Sequence, residues 1–455
     1  MSQTIAAIST PAGSGGIAVI RISGEDARKV ADRVFHAAND KKIADLAGYT
    51  ALYGHIIKNG EQLDEAVALC FANPHSYTGE DVVELSVHGG AYIAKAVLRT
   101  VLDSGARIAE NGEFTKRAYE NGKLDLTEAE AVMALISAKG ENARRAAMDA
   151  KNGKISQKIA EIRDFLIHCA SDIAAYTDYP DEDLDNLEPS VFCENLQKTG
   201  QKLQKLLDNY DSGKLLREGI DTAIVGSVNV GKSTLMNLLS GENRVIVTDI
   251  PGTTRDIVEE TVTISDLTLK LSDTAGIRET SDRAEAIGVE KAALKMQTAQ
   301  LVLAVFDSSR EVTQADIDLL EKCKSRPVIV LMNKTDLLDS PKTPEKIADF
   351  GYPAINISAH SSDSIPLLHD EIMQVCSLNA LTSDEPMLQT ERQRTHASAA
   401  LESVNEALAA LNSGYTLDAV GVCLDGALNE LLALTGERTT TAVADDLFRR
   451  FCVGK

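Results

Sequence analysis

The sequence predicts a multidomain chain of α/β and all-α parts: an N-terminal α/β domain, a discontinuous helical domain, and a P-loop domain with a mostly parallel sheet inserted between the two helical parts. Three observations lead there. A strand, a glycine-bounded loop and a helical pattern run from Asp221 to Asn237, and short apolar segments follow at Leu301 to Phe306, Val328 to Met332 and Ala354 to Ile357, separated by helical stretches; that alternation marks a parallel sheet covered by helices. Period-two runs occupy the N-terminal part, as strands with one buried face do. Helical spacing dominates from Asn121 to about Ser212 and again after Thr382.

A length of 455 residues suits roughly three domains. The net charge of −22 excludes a broad basic surface, so contact with nucleic-acid phosphates would need a local patch or a partner. Seven cysteines stand without a Cys-x-x-Cys pair or a Cys/His cluster at zinc spacing, which suits a reducing compartment. The start, Met-Ser-Gln-Thr-Ile, lacks the basic and apolar regions of a signal peptide, and no apolar run approaches the ~18 residues of a membrane span. A cytoplasmic protein is expected.

Residues 1–119 read as the α/β domain. Gly13 to Gly16 precede the strand Ile17 to Ser23; loop before strand is the wrong order for a dinucleotide fingerprint. Alternation puts Val19, Arg21 and Ser23 on one face. In the strand Val82 to His88 it groups Glu84, Ser86 and His88 opposite Val83, Leu85 and Val87. On composition Arg21 and Glu84 belong to solvated outer faces. Gly89-Gly90 opens a helix at Ala91 to Asp103.

Residues 120–214 form the first helical part. Thr127 with Glu130 has the spacing of a capping box. Ile155, Ile159, Ile162, Leu166 and Ile173 make one apolar stripe, Asp178 to Pro189 a bent acidic loop, and Leu196, Leu203 and Leu207 a second stripe that Asp211-Ser212-Gly213 should end. The P-loop domain spans 215–378. The second helical part, 379–455, carries Leu401, Val404, Leu408 and Leu411, then Leu424, Leu428, Leu431 and Leu432, and ends in Phe451-Cys452-Val453-Gly454-Lys455.

The chemistry is densest at Gly226 to Ser233, which fits Gly-x-x-x-x-Gly-Lys-Ser. Backbone N–H groups there curl around phosphate oxygens, Lys232 reaches the β- and γ-phosphates, and Ser233 binds Mg²⁺. Asp273-Thr274-Ala275-Gly276 follows a strand, where an aspartate acts on Mg²⁺ and a glycine N–H faces the γ-phosphate. Asn333-Lys334-Thr335-Asp336 places a carboxylate to accept from N1–H and the 2-amino group of guanine, an arrangement adenine leaves unpaired. Ser358-Ala359 follows the next strand, where backbone meets the guanine O6. Thr253-Thr254 stands where a threonine completes Mg²⁺ coordination. In this order the motifs define a Ras-like GTP-binding domain. Ile277 follows Gly276, where Ras-type GTPases use Gln to orient water; Arg255, Arg278 and Glu285 are the groups available instead. The Asn229 carbonyl could hold a monovalent cation such as K⁺ beside the phosphates.

These residues resemble a known family. Gly-x-x-Asn-x-Gly-Lys-Ser, Thr-Asp-Ile-x-Gly-Thr-Thr-Arg-Asp at 248–256, Asp-Thr-Ala-Gly-Ile-Arg and Asn-Lys-x-Asp are similar to the TrmE–Era class of GTPases. Outside the G domain, Thr-Pro-x-Gly-x-Gly-Gly-Ile-Ala-Val-Ile-Arg-Ile-Ser-Gly, His-Ser-Tyr-Thr-Gly-Glu-Asp-Val-Val-Glu-Leu-x-x-His-Gly-Gly, Asn-Gly-Lys-Leu-Asp-Leu and the terminal Cys-Val-Gly-Lys resemble the MnmE (TrmE) family of tRNA-modifying GTPases over essentially the whole chain.

The resemblance implies an N-terminal tetrahydrofolate-binding and dimerisation domain, a discontinuous helical domain and an inserted G domain. It implies a homodimer that works in a heterotetramer with an FAD-dependent subunit (MnmG, or GidA), the FAD residing on that partner. Together they add an aminomethyl or carboxymethylaminomethyl group at C5 of the tRNA wobble uridine, with a one-carbon unit from 5,10-methylene-tetrahydrofolate (or 5-formyl-tetrahydrofolate). Arg21, Glu84, Lys123 and Lys455 match the folate contacts. Asn229, Thr248, Ile250 and Thr253 match K⁺ ligands, and Ser233 and Thr254 match Mg²⁺ ligands. The nucleotide contacts extend over Asn229 to Thr234 (with Val230, Gly231 and Lys232), Thr248 to Thr254 (with Asp249, Pro251 and Gly252), Asp273 to Gly276, Asn333 to Asp336, and Ser358 to His360. Glu285 and Arg255 match catalytic positions of hydrolysis, and Cys452 the cysteine needed for modification. Val228 stands where proline is usual and His360 where Arg or Lys is common. A different reading, an Era-like regulatory GTPase of ribosome assembly, would call for an RNA-binding appendage, and no basic RNA-binding sheet is apparent. A buried structural role for Cys452 is the plain alternative to a thiol carried on a flexible tail.

Overall fold

Alternating apolar residues build the first sheet. In the computed structural model, which describes residues 3–138, 140–178, 189–242, 259–272, 298–324, 326–338, 343–376, 378 and 386–454, the chain separates into two compact units. One comprises 1–133, 159–187 and 409–455; the other comprises 134–158 and 188–408.

The first unit carries seven strands: β1 (Ile5–Ile8), β2 (Ile17–Ser23), β3 (Phe35–Ala37), β4 (Thr50–Lys58), β5 (Glu61–Phe71), β6 (Val82–His88) and β7 (Arg107–Ile108). Their order is β3-β4-β5-β6-β2-β1-β7, antiparallel except for the parallel β1–β7 pair. Ala18, Ile20 and Ile22 on β2 and Val83, Leu85 and Val87 on β6 are buried with residues of α1 (Ala27–Val34) and α2 (Ala91–Asp103), including Val30, Val34, Val97 and Val101. Each large apolar side chain so buried stabilises by roughly 1.5–3 kcal/mol. The pleat turns Arg21 and Glu84 to the opposite face, in direct register.

α3 (Glu113–Glu120) and α4 (Leu126–Ser137) follow. The cap of α4 differs from the expected Thr127/Glu130 box. Asp125 Oδ1 accepts from the Glu128 N–H at 2.8 Å, and Glu128 Oε2 accepts from the Asp125 N–H at 2.8 Å. Thr127 and Glu130 lie inside the helix and are buried. The box is real but begins two residues earlier, because an aspartate competes as well for the cap as threonine.

α5 (Glu141–Lys151), α6 (Lys154–Asp178) and α7 (Pro189–Glu218) complete the first helical stretch. The α6 stripe is as expected, with Ile155, Ile159, Ile162, Leu166 and Ile173 all buried. The bent loop expected from Asp178 to Pro189 falls largely outside the described residues. α7 does not stop at Asp211-Ser212-Gly213 but continues to Glu218. A Cβ at Gly213 would lie 2.5 Å from Met387 Sδ. The glycine there admits a neighbour rather than ending the helix, and packing outweighs its poor helix propensity. Among the later helices, Leu401 of helix Glu391–Asn412 lies against Gly200 of α7, and Gly421 of helix Leu417–Thr435 against Ile173 of α6.

The second unit's sheet comprises β8 (Ile220–Val225), β9 (Glu259–Ile264), β10 (Leu267–Ser272), β11 (Leu301–Asp307), β12 (Val328–Asn333) and β13 (Ala354–Asn356), in the order β13-β12-β11-β8-β10-β9. Only the β9–β10 pair is antiparallel. β12 is buried at every position, the near-continuous apolar run of a strand covered on both faces. No helix among the described residues is long and apolar enough to cross a membrane.

Candidate functional site

The nucleotide motifs gather at the carboxyl ends of β8, β11, β12 and β13, where parallel sheets bind ligands. β8 leads into the phosphate loop and α8 (Lys232–Glu242) leaves it. Lys232 Nζ arches over the loop and donates to the carbonyls of Gly226 at 2.8 Å and Ser227 at 2.7 Å. Gly231 has φ 100°, and a Cβ there would collide with Asn333 Nδ2. Asn229 has φ 64°, a left-handed conformation asparagine tolerates, and is exposed. Ser233 is exposed in the first turn of α8, beside Thr234. The loop, the lysine above it and the hydroxyl at a helix N-terminus fit a phosphate with Mg²⁺, and Asn229 is exposed among the described residues.

Asn333 joins this loop to the base-recognition segments. Its Nδ2 donates to the Val230 carbonyl at 2.8 Å, and its Oδ1 accepts from the Ala359 N–H at 2.9 Å. Lys334, at φ 65°, pairs with Asp307 Oδ2 at 2.6 Å. Thr335 and Asp336 begin a 3-10 turn. The Ser358 hydroxyl donates to Asp336 Oδ1 at 2.7 Å, and this bond lowers the carboxyl's pKa. Asp336 is exposed and ionised, ready to accept two donors in one plane; Ala359 is buried and His360 exposed beside it. The motif residues from 226 to 234, 333 to 336 and 358 to 360 are therefore one constellation. Thr248, Asp249, Ile250, Pro251, Gly252, Thr253, Thr254, Arg255, Asp273, Thr274, Ala275, Gly276, Arg278 and Glu285 lie outside the described residues, as does Lys455.

One contributor escaped the sequence reading. Asp316, in helix Gln314–Lys322, is 1% exposed and accepts from the Ser227 hydroxyl at 2.7 Å. Burial alone would raise its pKa, but Arg310, the Thr313 N–H and the hydroxyls of Ser227 and Thr313 outweigh it and hold the carboxyl far below the usual range. Thr313 and Asp316, a Thr-x-x-Asp capping pair, were the available signal; the link to Ser227 had none.

A second constellation lies in the first unit. Arg21 and Glu84 are not solvated outer-face charges. Arg21 Nε donates to Glu84 Oε1 at 2.8 Å, with side chains only 16% and 22% exposed. The guanidinium also lies 5.6 Å from the ring centroids of Tyr77 and Phe114, within cation–π range. Its Nη1 donates to the carbonyl of Gly454 at 3.3 Å, and the Ser9 hydroxyl donates to the same oxygen at 3.2 Å. The tail is thus docked rather than loose. Val453 forms an antiparallel bridge with Asn111, and the Gly112 N–H donates to the Cys452 carbonyl at 3.3 Å. The Cys452 thiol-bearing residue stays exposed, against the buried structural alternative. Lys123 is exposed and donates to the Pro74 carbonyl at 3.2 Å, three residues from Tyr77. The charged and aromatic groups fit a ligand with an anionic or polar planar edge.

The family profile described as "MnmE helical domain" matches residues 126–452, and that described as "GTP-binding protein TrmE N-terminus" matches residues 4–123. Among curated relatives, a tRNA modification GTPase MnmE of Clostridioides difficile (strain 630) is 41% identical over 458 residues, covering 100% of both chains. One of the same name from Geobacillus kaustophilus (strain HTA426) is 39% identical, covering 100% of this chain and 99% of its own. Among solved structures, the G domain of the T. maritima FeoB iron transporter is 26% identical with a TM-score of 0.27, covering 34% of this chain and 98% of its own. Full-length identity and two adjoining profiles agree with the phosphate-loop and guanine-recognition geometry: the chain belongs to the MnmE family and is a GTP hydrolase that takes part in tRNA modification.

Proposed function

We propose that this chain hydrolyses GTP with K⁺ stimulation and, with an FAD-dependent MnmG (GidA) subunit, adds a (carboxymethyl)aminomethyl group to C5 of the tRNA wobble uridine, taking the one-carbon unit from methylene-tetrahydrofolate. The boundaries we assign are 1–119 for folate binding and dimerisation, 120–214 and 379–455 for the helical domain, and 215–378 for the G domain. The protein acts in the cytoplasm as a homodimer within a heterotetramer. The observation that carries this reading is the convergence of Arg21, Glu84 and Gly454, from three distant parts of the chain, beside two aromatic rings.

In the nucleotide site, Ser233 and Thr254 would hold Mg²⁺, and Asn229, Thr248, Ile250 and Thr253 would hold K⁺; these ions would supply positive charge for phosphoryl transfer. Glu285 orients water in place of the missing Gln, with Arg255 adding charge. In the N-terminal cleft, folate supplies the one-carbon chemistry. Arg21, Lys123 and Lys455 would attract its anionic or polar edge, Glu84 would accept from pterin N–H groups, and the docked tail presents Cys452, the cysteine needed for modification, whose thiol can serve as nucleophile or proton donor.

Calorimetry with a reduced folate, without nucleotide, tests the cleft. Arg21→Ala and Glu84→Ala should each weaken binding by at least about tenfold, the loss expected for one charged hydrogen bond; unchanged affinity in both refutes the assignment. Mass spectrometry of the wobble nucleoside in cells carrying Cys452→Ser separates the two chemistries: K⁺-stimulated hydrolysis should persist while modification stops.

A further inference from the structure

The phosphate loop is anchored from outside itself. The Ser227 carbonyl accepts from Lys232 Nζ at 2.7 Å, and its hydroxyl donates to Asp316 Oδ1 at 2.7 Å, so this one residue is pinned on both sides. Asp316 cannot yield. Its Oδ1 also accepts from Arg310 Nη2 at 3.0 Å; its Oδ2 accepts from Arg310 Nη1 at 2.7 Å, the Thr313 N–H at 3.0 Å and the Thr313 hydroxyl at 2.8 Å. The bond from the Thr313 N–H belongs to a helix capping box, which explains why the helix starts there. A capping box has no need of Ser227. That bond serves the loop.

The turn beside it needs support. Asn229 has φ 64°, whereas Val228 is not among the positive-φ residues. Left-handed backbone at Asn229, with Val228 before it outside the positive-φ set, is compatible with a type II turn over Ser227 to Val230, which usually takes glycine at the third position and often proline at the second. A residue other than glycine persists there only where its surroundings hold it. Val228 is 79% exposed and packs little.

We infer that Asp316 is a positioning residue for GTP: through Ser227 it holds the phosphate loop in its phosphate-ready shape, with Asn229 at the apex. The inference requires GTP binding, which is a property of the family, and needs neither the K⁺ nor the folate reading.

The test uses the full-length protein at saturating K⁺ and Mg²⁺, with steady-state GTP hydrolysis, binding of a fluorescent non-hydrolysable GTP analogue, and thermal unfolding. Ser227→Ala removes one hydroxyl and leaves Asp316 its Arg310 and Thr313 partners. It should raise KM and the analogue Kd by about tenfold, the loss of one charge-assisted bond, with kcat within about twofold and an almost unchanged Tm. Val228→Pro presets the backbone of the second turn position and so substitutes stiffness for the lost bond. The double variant S227A/V228P should recover most of the affinity, which a loss of general stability would not allow. An unchanged KM and Kd in Ser227→Ala, or an affinity loss that Val228→Pro leaves in place, would overturn the assignment.

Discussion

Arg21 Nη1 donates to the backbone carbonyl of Gly454 across 433 positions of sequence, at 3.3 Å. The same guanidinium holds Glu84, so the tail and the proposed folate cleft share one cation. Gly454 has φ 89°, and a Cβ there would lie 2.6 Å from the Ile8 carbonyl oxygen. Gly454→Ala should therefore lift the tail, since left-handed backbone alone costs an alanine about 1–2 kcal/mol. Wobble-uridine modification in cells should fall by about tenfold while purified GTP turnover stays within about twofold. Normal modification would mean that tail docking has no part in the chemistry.

Asp336 should set base choice through its carboxylate, whose pKa the Ser358 hydroxyl lowers. In Asp336→Asn an amide donor replaces one acceptor. GTP binding should weaken by about a hundredfold and xanthosine triphosphate should become the preferred nucleotide, because its 2-oxo group accepts from that donor. Competition binding with the two nucleotides decides it; a retained GTP preference would move the specificity elsewhere.

Asn229 stands exposed at the loop apex, and the Gln position of Ras-type enzymes holds Ile277. Hydrolysis should be at least about tenfold faster in KCl than in NaCl, well within what an added positive charge supplies to phosphoryl transfer. Asn229→Ala should remove that difference and keep much of the GTP affinity. Equal rates of the parent in the two matched salts would end the K⁺ proposal.

His369 should give the second unit a pH dependence. Its Nε2 lies 2.7 Å from Asp266 Oδ1 and its Nδ1 3.1 Å from Asp370 Oδ1. Burial lowers its pKa, but the bonds to Asp370 and Asp266 outweigh this and raise it above 6.5. A raised folded-state value means that the stabilisation is complete below about pH 6.5 and is lost as pH rises through the folded value. Solvent screening keeps it to about 1 kcal/mol. Thermal unfolding from pH 6 to 9 should show His369→Gln less stable than the parent at the acid end and the gap closing toward the alkaline end. A gap independent of pH would show that protonation contributes nothing.

The phosphate loop and the Asn-Lys-Thr-Asp segment were legible because their parts are local. Glycines, a lysine and a serine within eight positions define the phosphate loop, and each recognition motif sits directly after an apolar strand. The same locality misled where two neighbouring residues competed for one role. Asp125 took the helix cap from Thr127, and Gly213 looked like a stop when it was a place for Met387 to approach.

By itself, the sequence determined the phosphate loop with its flanking strand and helix, the period of the β2 and β6 runs and the apolar stripe of α6, since these follow from short-range backbone preference and from side chains a few positions apart. Tertiary structure alone decided what the charges do. Arg21 met Glu84 across 63 positions and Gly454 across 433, and Ser227 met Asp316 across 89. Partners of that kind are chosen when sheet register and helix packing close long loops, and the entropy of closure grows only as the logarithm of loop length. Many distant pairings therefore cost nearly the same in chain entropy, and the buried geometry of the folded core selects among them.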